Sequence, residues 1–181
     1  MNVQDANRFS ADLARVTVRD LPPTTRISLR VSPADAAAVA EAIGVALPRK
    51  VGDRAVSGGR SALCLGPDEW LLAAEEGEAA SLTAALAEGA AGVPLSAVDV
   101  SDREITFALE GPAVLDLLAT GCPRDLARMP VGSGARTVFD TAQFVLTREA
   151  EDRFHLTVWR SFAPHVRALL DISVREFAAG L

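Results

Sequence analysis

Polar and apolar residues alternate from Arg26 to Val31, with Ile27, Leu29 and Val31 on one side. That period of two predicts a half-buried strand. Ser32 offers an N-cap and Pro33 an N1 proline to a helix carrying Ala36, Val39, Ala40 and Ile43, and Gly44 suits its C′ position. Pro48 to Gly59 reads as a polar loop. Ala62–Leu65 and Trp70–Ala73 read as hairpin strands across the turn Gly66-Pro67-Asp68-Glu69. Glu78 to Glu88 is an alanine-rich helix with Leu82 and Leu86 four apart.

A second set follows. Ala97–Val100 is a short strand, and Ile105, Phe107 and Leu109 mark another. Ser101 and Glu104 have capping-box spacing, but the residues after them repeat every two positions, which excludes a helix there. Gly111-Pro112 opens a helix with Val114, Leu115 and Leu118, closed by Gly121, and Pro123 to Gly134 is loop. Ala142, Phe144 and Leu146, then Phe154, Leu156 and Val158, mark two strands joined by a charged turn, Glu149 to Asp152. In the last helix Phe162, Val166, Leu169, Leu170, Ser173, Val174 and Phe177 share one face.

The order β-α-β-β-α, then β, then β-α-β-β-α predicts an α+β fold of two ferredoxin-like β-α-β-β-α-β halves with antiparallel or mixed sheets. The halves are expected at about 21–101 and 102–181, in a single compact domain spanning 1–181. Ala97–Val100 closes the first half. The second lacks a closing strand of its own, and a strand at 15–19, around Arg15-Val16-Thr17-Val18, is expected to complete it.

Composition narrows the function classes. The 181 residues are 49% hydrophobic and 23% charged, a globular and not a disordered balance. The net charge of -6 argues against nucleic-acid binding, which calls for a basic face. Among the basic residues only Lys50 is a lysine. No apolar run approaches the roughly 20 residues of a membrane span. The stretch Met1 to Asp20, with Asp5, Arg8, Asp12, Arg15 and Arg19, has no apolar h-region. A reduced, cytoplasmic protein is expected, since Cys64 and Cys122 are too few and too far apart for a disulfide framework.

Candidate chemistry is sparse. Cys122 follows a helix C-terminus, the pole that disfavours a thiolate, and reads as a small buried residue at a helix stop. His155 points away from the core-facing set of its strand and has no acidic partner assignable from sequence; His165 lies beside Pro164 on the last helix. Neither has zinc-like cysteine neighbours. Gly132-Ser133-Gly134 lacks the lysine and context of a phosphate loop and does not match GxGxxG. The cluster Asp99, Asp102, Arg103, Glu104 reads first as a solvated turn, although Asp99 or Asp102 could offer a carboxylate to a pterin. Trp159-Arg160-Ser161-Phe162 is the most unusual segment: Trp and Arg are favoured interface anchors, while Phe162 could equally pack in the core and Ser161 cap a helix. No catalytic, cofactor-binding or metal-ligating set is predicted.

Four segments in order resemble the gamma subunit of heterotetrameric sarcosine oxidase: Leu65-Gly66-Pro67-Asp68-Glu69-Trp70-Leu71-Leu72; Glu110-Gly111-Pro112-Ala113 with Leu117 to Leu126; Arg136-Thr137; and Trp159-Arg160-Ser161-Phe162-Ala163. The resemblance implies a fold related to the folate-binding part of the glycine cleavage T protein. It implies a non-catalytic subunit of a complex that oxidatively demethylates sarcosine to glycine, yielding hydrogen peroxide and formaldehyde or methylene-tetrahydrofolate. It places FAD, FMN, NAD and tetrahydrofolate in partner subunits, named alpha, beta and delta. The alternative is a stand-alone folate-binding one-carbon protein similar to the T protein. The expected partner surface comprises Trp159, Arg160, Asp68 and Glu69, with Arg124 and Arg136 as supporting charges.

Overall fold

The structure, a computed structural model, describes residues 16–179. The described residues divide into two compact units. One comprises 22–103 with 132–135, the other 16–21, 104–131 and 136–179.

In the first unit the chain runs β2 (Thr25–Val31), α1 (Ala36–Ile43), β3 (Arg54–Ser57), β4 (Arg60–Gly66), β5 (Glu69–Ala74), α2 (Ala79–Gly89) and β6 (Leu95–Asp99). The sheet order is β3-β4-β5-β2-β6, with antiparallel ladders. The last four of these strands stand in the ferredoxin-like order. The alternation in β2 places Ile27, Leu29 and Val31 against Val39 and Ile43 of α1 and Leu82 and Leu86 of α2 in one core. Trp70 is 1% exposed in that core, and its indole N–H donates to the Pro48 carbonyl at 2.7 Å.

The second unit holds β1 (Thr17–Asp20), β7 (Glu104–Glu110), α3 (Val114–Ala119), β8 (Gly134–Phe139, its first two residues grouped with the first unit), β9 (Ala142–Ala150), β10 (Arg153–Trp159) and α4 (Ala163–Ala178). Its sheet order, β1-β7-β10-β9-β8, repeats the same arrangement. β1 lies antiparallel to β7 with Thr17 opposite Glu110 and Asp20 opposite Phe107. Arg15 lies outside the described residues. Phe107, Leu109, Phe144, Leu146, Phe154, Leu156 and Val158 turn one sheet face toward Leu117, Leu118, Val166 and Leu170 of the helices.

Each sheet carries a fifth, edge strand that the sequence pattern does not announce. β3 occupies part of the expected loop 48–59. Gly58 and Gly59 both have positive φ (55° and 80°), the geometry of a tight hairpin turn into β4. β8 begins at Gly134 and turns into β9 through Asp140, whose φ is 53°. Two helix starts also shift. α1 begins at Ala36 behind a turn in which Ser32 bonds the amide of Ala34, so Pro33 is not at N1. α4 is preceded by Phe162 as N-cap with no side-chain cap bond, so Ser161 does not cap it.

Candidate functional site

The expected partner surface starts where β10 ends. A backbone turn, Phe162 N–H to Trp159 O at 2.9 Å, brings the two aromatic side chains together. Their ring centroids lie 6.3 Å apart at 44°. Each residue is 43% exposed, with Arg160 and Ser161 exposed between them. Phe162 therefore leaves the apolar face that Val166 and Leu170 bury, because the turn precedes the first helical residue. Trp159 and Trp70 thus have opposite fates.

Asp68 and Glu69 sit in the other unit, and the structure groups them with Arg30. The Arg30 guanidinium reaches Asp68 Oδ1 and Glu69 Oε2, both at 3.1 Å. The pair lies opposite in the β2–β5 register, Arg30 facing Glu69, so sheet geometry sets up the contact. Arg136 is exposed on β8, and Arg124 is exposed in the loop after Cys122 with no ion pair among the described residues.

Asp99 ends β6. Its Oδ1 accepts both the Ser101 hydroxyl at 2.5 Å and the Ser101 N–H at 2.9 Å. These bonds, the hydroxyl first, hold the carboxyl below the usual aspartate range. The carboxylate lines a shallow open depression beside α2, whose other lining residues are Gly77, Ala79, Ala80, Thr83, Ala84 and Ala87. Among the described residues no basic side chain stands in that lining to take a folate glutamate tail, so these residues do not fit the group. Asp102 lies exposed in the 3-10 turn Ser101–Arg103.

The remaining candidates are held by local structure. Cys122 is 5% exposed, and its amide bonds the Leu118 carbonyl at 2.8 Å, the expected helix stop. Cys64 is buried, its Sγ donating to Gly66 O at 3.2 Å; burial pushes the thiol up. His165 Nε2 stands 3.4 Å from Asp140 Oδ2. His155 has an acidic neighbour after all. Its Nδ1 lies 3.5 Å from Glu149 Oε1, which also accepts the Thr147 hydroxyl at 2.6 Å. Glu149 belongs to β9, which runs on to Ala150, whereas the sequence pattern assigned it to a turn. Among the described residues no group of three or more His, Cys, Asp and Glu is placed to hold a metal ion. No helix among them is long and apolar enough to cross a membrane.

One residue the sequence pattern did not single out organises the loop that carries Arg124. Arg148 on β9 is 5% exposed. Its guanidinium donates to the carbonyls of Leu126 (3.3 Å), Met129 (2.6 Å), Ala150 (3.3 Å) and Glu151 (2.9 Å), and to Glu151 Oε2 (2.9 Å). Its central carbon stands 5.3 Å from the Phe154 ring centroid. Only the planar five-donor fork of arginine serves so many acceptors at once.

Residues 29–175 match the family model described as sarcosine oxidase, gamma subunit family. The chain is 36% identical over 170 residues to sarcosine oxidase subunit gamma of Corynebacterium sp. (strain U-96), covering 91% of this chain and 82% of the relative. It superposes on a chain of the solved heterotetrameric sarcosine oxidase from Corynebacterium sp. U-96, in complex with pyrrole 2-carboxylate, with a TM-score of 0.84. The identity there is 33%, with 97% of this chain and 93% of that chain covered. The glycine cleavage system aminomethyltransferase T of Bartonella henselae matches with a TM-score of 0.64 at 17% identity, over 91% of this chain and 48% of that one, which shows a shared fold.

Proposed function

The chain belongs to the sarcosine oxidase gamma subunit family, and from that premise we propose that it is the non-catalytic gamma subunit of a heterotetrameric sarcosine oxidase. The complex would oxidise sarcosine to glycine, reduce oxygen to hydrogen peroxide and release formaldehyde or methylene-tetrahydrofolate. FAD, FMN, NAD and tetrahydrofolate would reside in the alpha, beta and delta partners. The observation that carries this reading is the superposition on a chain of the solved complex over 97% of this chain at 33% identity.

The side-chain chemistry supports it. Asp68 and Glu69 are engaged by Arg30, Asp99 by Ser101, and Cys122 is packed inside its unit. The exposed Trp159–Phe162 pair with Arg160 offers what a partner subunit can use: broad apolar area and planar cationic donors. Arg124 and Arg136 in the same unit, and Asp68 and Glu69 in the other unit, are proposed as further charged partner contacts.

Co-expression of the tagged chain with the other subunits tests the assignment. A flavin-containing complex that produces peroxide from sarcosine is the expected product, while the purified chain alone is colourless and inactive. Recovery of the chain without partners, together with stoichiometric tetrahydrofolate binding to it alone, would instead establish the stand-alone folate-binding alternative.

A further inference from the structure

A sheet edge exposes a row of backbone donors and acceptors, and soluble proteins commonly blunt such edges with charge, proline or a bulge. The two sheets present four edges among the described residues: β1, β3, β6 and β8. β1 carries Arg19 and Asp20, β3 carries Arg54, and β8 carries Arg136. β6 is different. Its sequence Leu95-Ser96-Ala97-Val98 is uncharged, contains no proline, and runs in unbroken register against β2, with Val98 53% exposed. The one charge, Asp99, stands at its end.

The hydrogen-bond pattern shows which groups face outward. The Val100 N–H donates to the Arg26 carbonyl at 2.9 Å, and Arg26 is one step beyond the pair Ile27–Asp99 in the ladder. Antiparallel pairing alternates, so Ser28–Val98 and Arg30–Ser96 are the other bonded pairs. The N–H and C=O groups of Leu95, Ala97 and Asp99 therefore point away from β2, and no strand among the described residues pairs with that side. Beyond the edge lies the depression beside α2, where Ala80, Thr83, Ala84 and Ala87 are small. A strand laid about 4.8 Å outside β6 would pass over it, with alternate side chains toward α2.

We propose that the outer edge of β6 is a strand-addition site that receives an extended segment of a different subunit, small apolar residues facing α2 and a basic residue beside Asp99. This rests on the subunit reading above. A second copy of the chain fits less well. Antiparallel pairing of two β6 strands about Ala97 sets each Asp99 against Leu95 and supplies no cation. Main-chain bonds would give affinity, and the Asp99 contact would give register and choice of partner.

Hydrogen exchange on the full chain, free and in the co-purified complex, reads the site directly. The Ala97 and Asp99 amides should exchange freely in the free chain and become protected at least tenfold on assembly. Ala97→Pro removes an outward N–H while leaving the β2 ladder intact, a position where an edge strand accepts proline. It should weaken assembly by about tenfold or more, on the order of one or more main-chain bonds, with an unchanged melting temperature. Asp99→Asn, which can still accept from Ser101, should weaken assembly at low salt and match the wild type at high salt. An unprotected Ala97 amide in the complex, or a folded Ala97→Pro chain assembling with wild-type affinity, overturns the proposal. So does a dimer of the free chain that protects these amides, since the occupant would then be a second copy. Failure of the wild-type chain to assemble at all would remove the subunit reading and this inference with it.

Discussion

Arg148→Met is the most informative stability test in the C-terminal unit. Methionine keeps the aliphatic stem of the side chain but removes the guanidinium that stands over Phe154 and with it every donor. Of the acceptors Arg148 serves, Leu126 O and Met129 O are reached through fully buried bonds, where water does not readily replace the guanidinium. Each buried acceptor left unpaired costs about 1–3 kcal/mol. The bonds to Ala150 and Glu151 are partly exposed and can be exchanged for water. The Glu151 carboxylate, with a side chain 86% exposed, adds little. Relief of the cation's own desolvation works in the opposite direction. The net expectation is a loss of about 3 kcal/mol, or a fall of roughly 12–24 °C in the melting temperature of that unit. Scanning calorimetry reads the transition, and amide exchange over residues 123–131 reads the loop. Arg148→Lys should fare nearly as badly, because a single ammonium cannot span carbonyls arrayed on both sides of the fork. A Met variant melting within about 1 °C of wild type would refute the view that this one guanidinium holds the loop.

Gly121→Ala should destabilise by about 1–3 kcal/mol in denaturant titration, since a Cβ there would meet the Phe139 ring at 2.8 Å and the ring is wedged in the core. Trp159→Ala and Arg160→Ala should leave the melting temperature of the isolated chain nearly unchanged. Each should weaken assembly about thirtyfold, roughly 2 kcal/mol, in a binding titration with the partner subunits. Asp99 and Asp140 both have lowered carboxyl pKa values, Asp99 through the Ser101 hydroxyl and Asp140 chiefly through the Thr141 hydroxyl. Their stabilisation is thus complete above about pH 4 and is lost as the pH falls through the folded values; melting curves from pH 5 to pH 2 should show a shallower acid decline in the Asp99→Asn, Asp140→Asn double variant.

The strands and helices with one strictly buried face were legible from the sequence. β2, β7 and β10 alternate cleanly because only one side of each carries large apolar residues, and Leu82 and Leu86 mark α2 for the same reason. β3 escaped because it has little core to face, and β8 because Phe139 is its one large buried side chain and leaves no alternation to read. Arg54-Ala55-Val56-Ser57 buries no residue fully, and the flanking glycines look like loop. Among the residues proposed for partner contact, the Trp-Arg-Ser-Phe segment stood out by composition, yet its geometry did not follow. Phe162 keeps the helical spacing of the buried face but sits one residue before the helix, so its ring turns outward to Trp159. Arg148 was invisible for a deeper reason. A lone arginine near a charged turn carries no period, and its acceptors come from carbonyls about twenty residues upstream. The Glu149–His155 contact likewise depends on cross-strand register, which no single strand displays.

The placement of β1 governs the order in which the chain can complete itself. Thr17 bonds Glu110 across 93 residues, and everything between 22 and 103 belongs to the other unit. During synthesis β1 emerges first and waits, its partner β7 appearing only after a whole sheet has had the chance to form. The earlier unit waits too, because Gly134 N–H closes onto Gly52 O from late in the chain. Nascent chains stopped near residue 103 would therefore hold an assembled β2–β6 sheet beside an orphaned strand. The second unit is committed to a slow, long-range closure that local helix formation cannot replace.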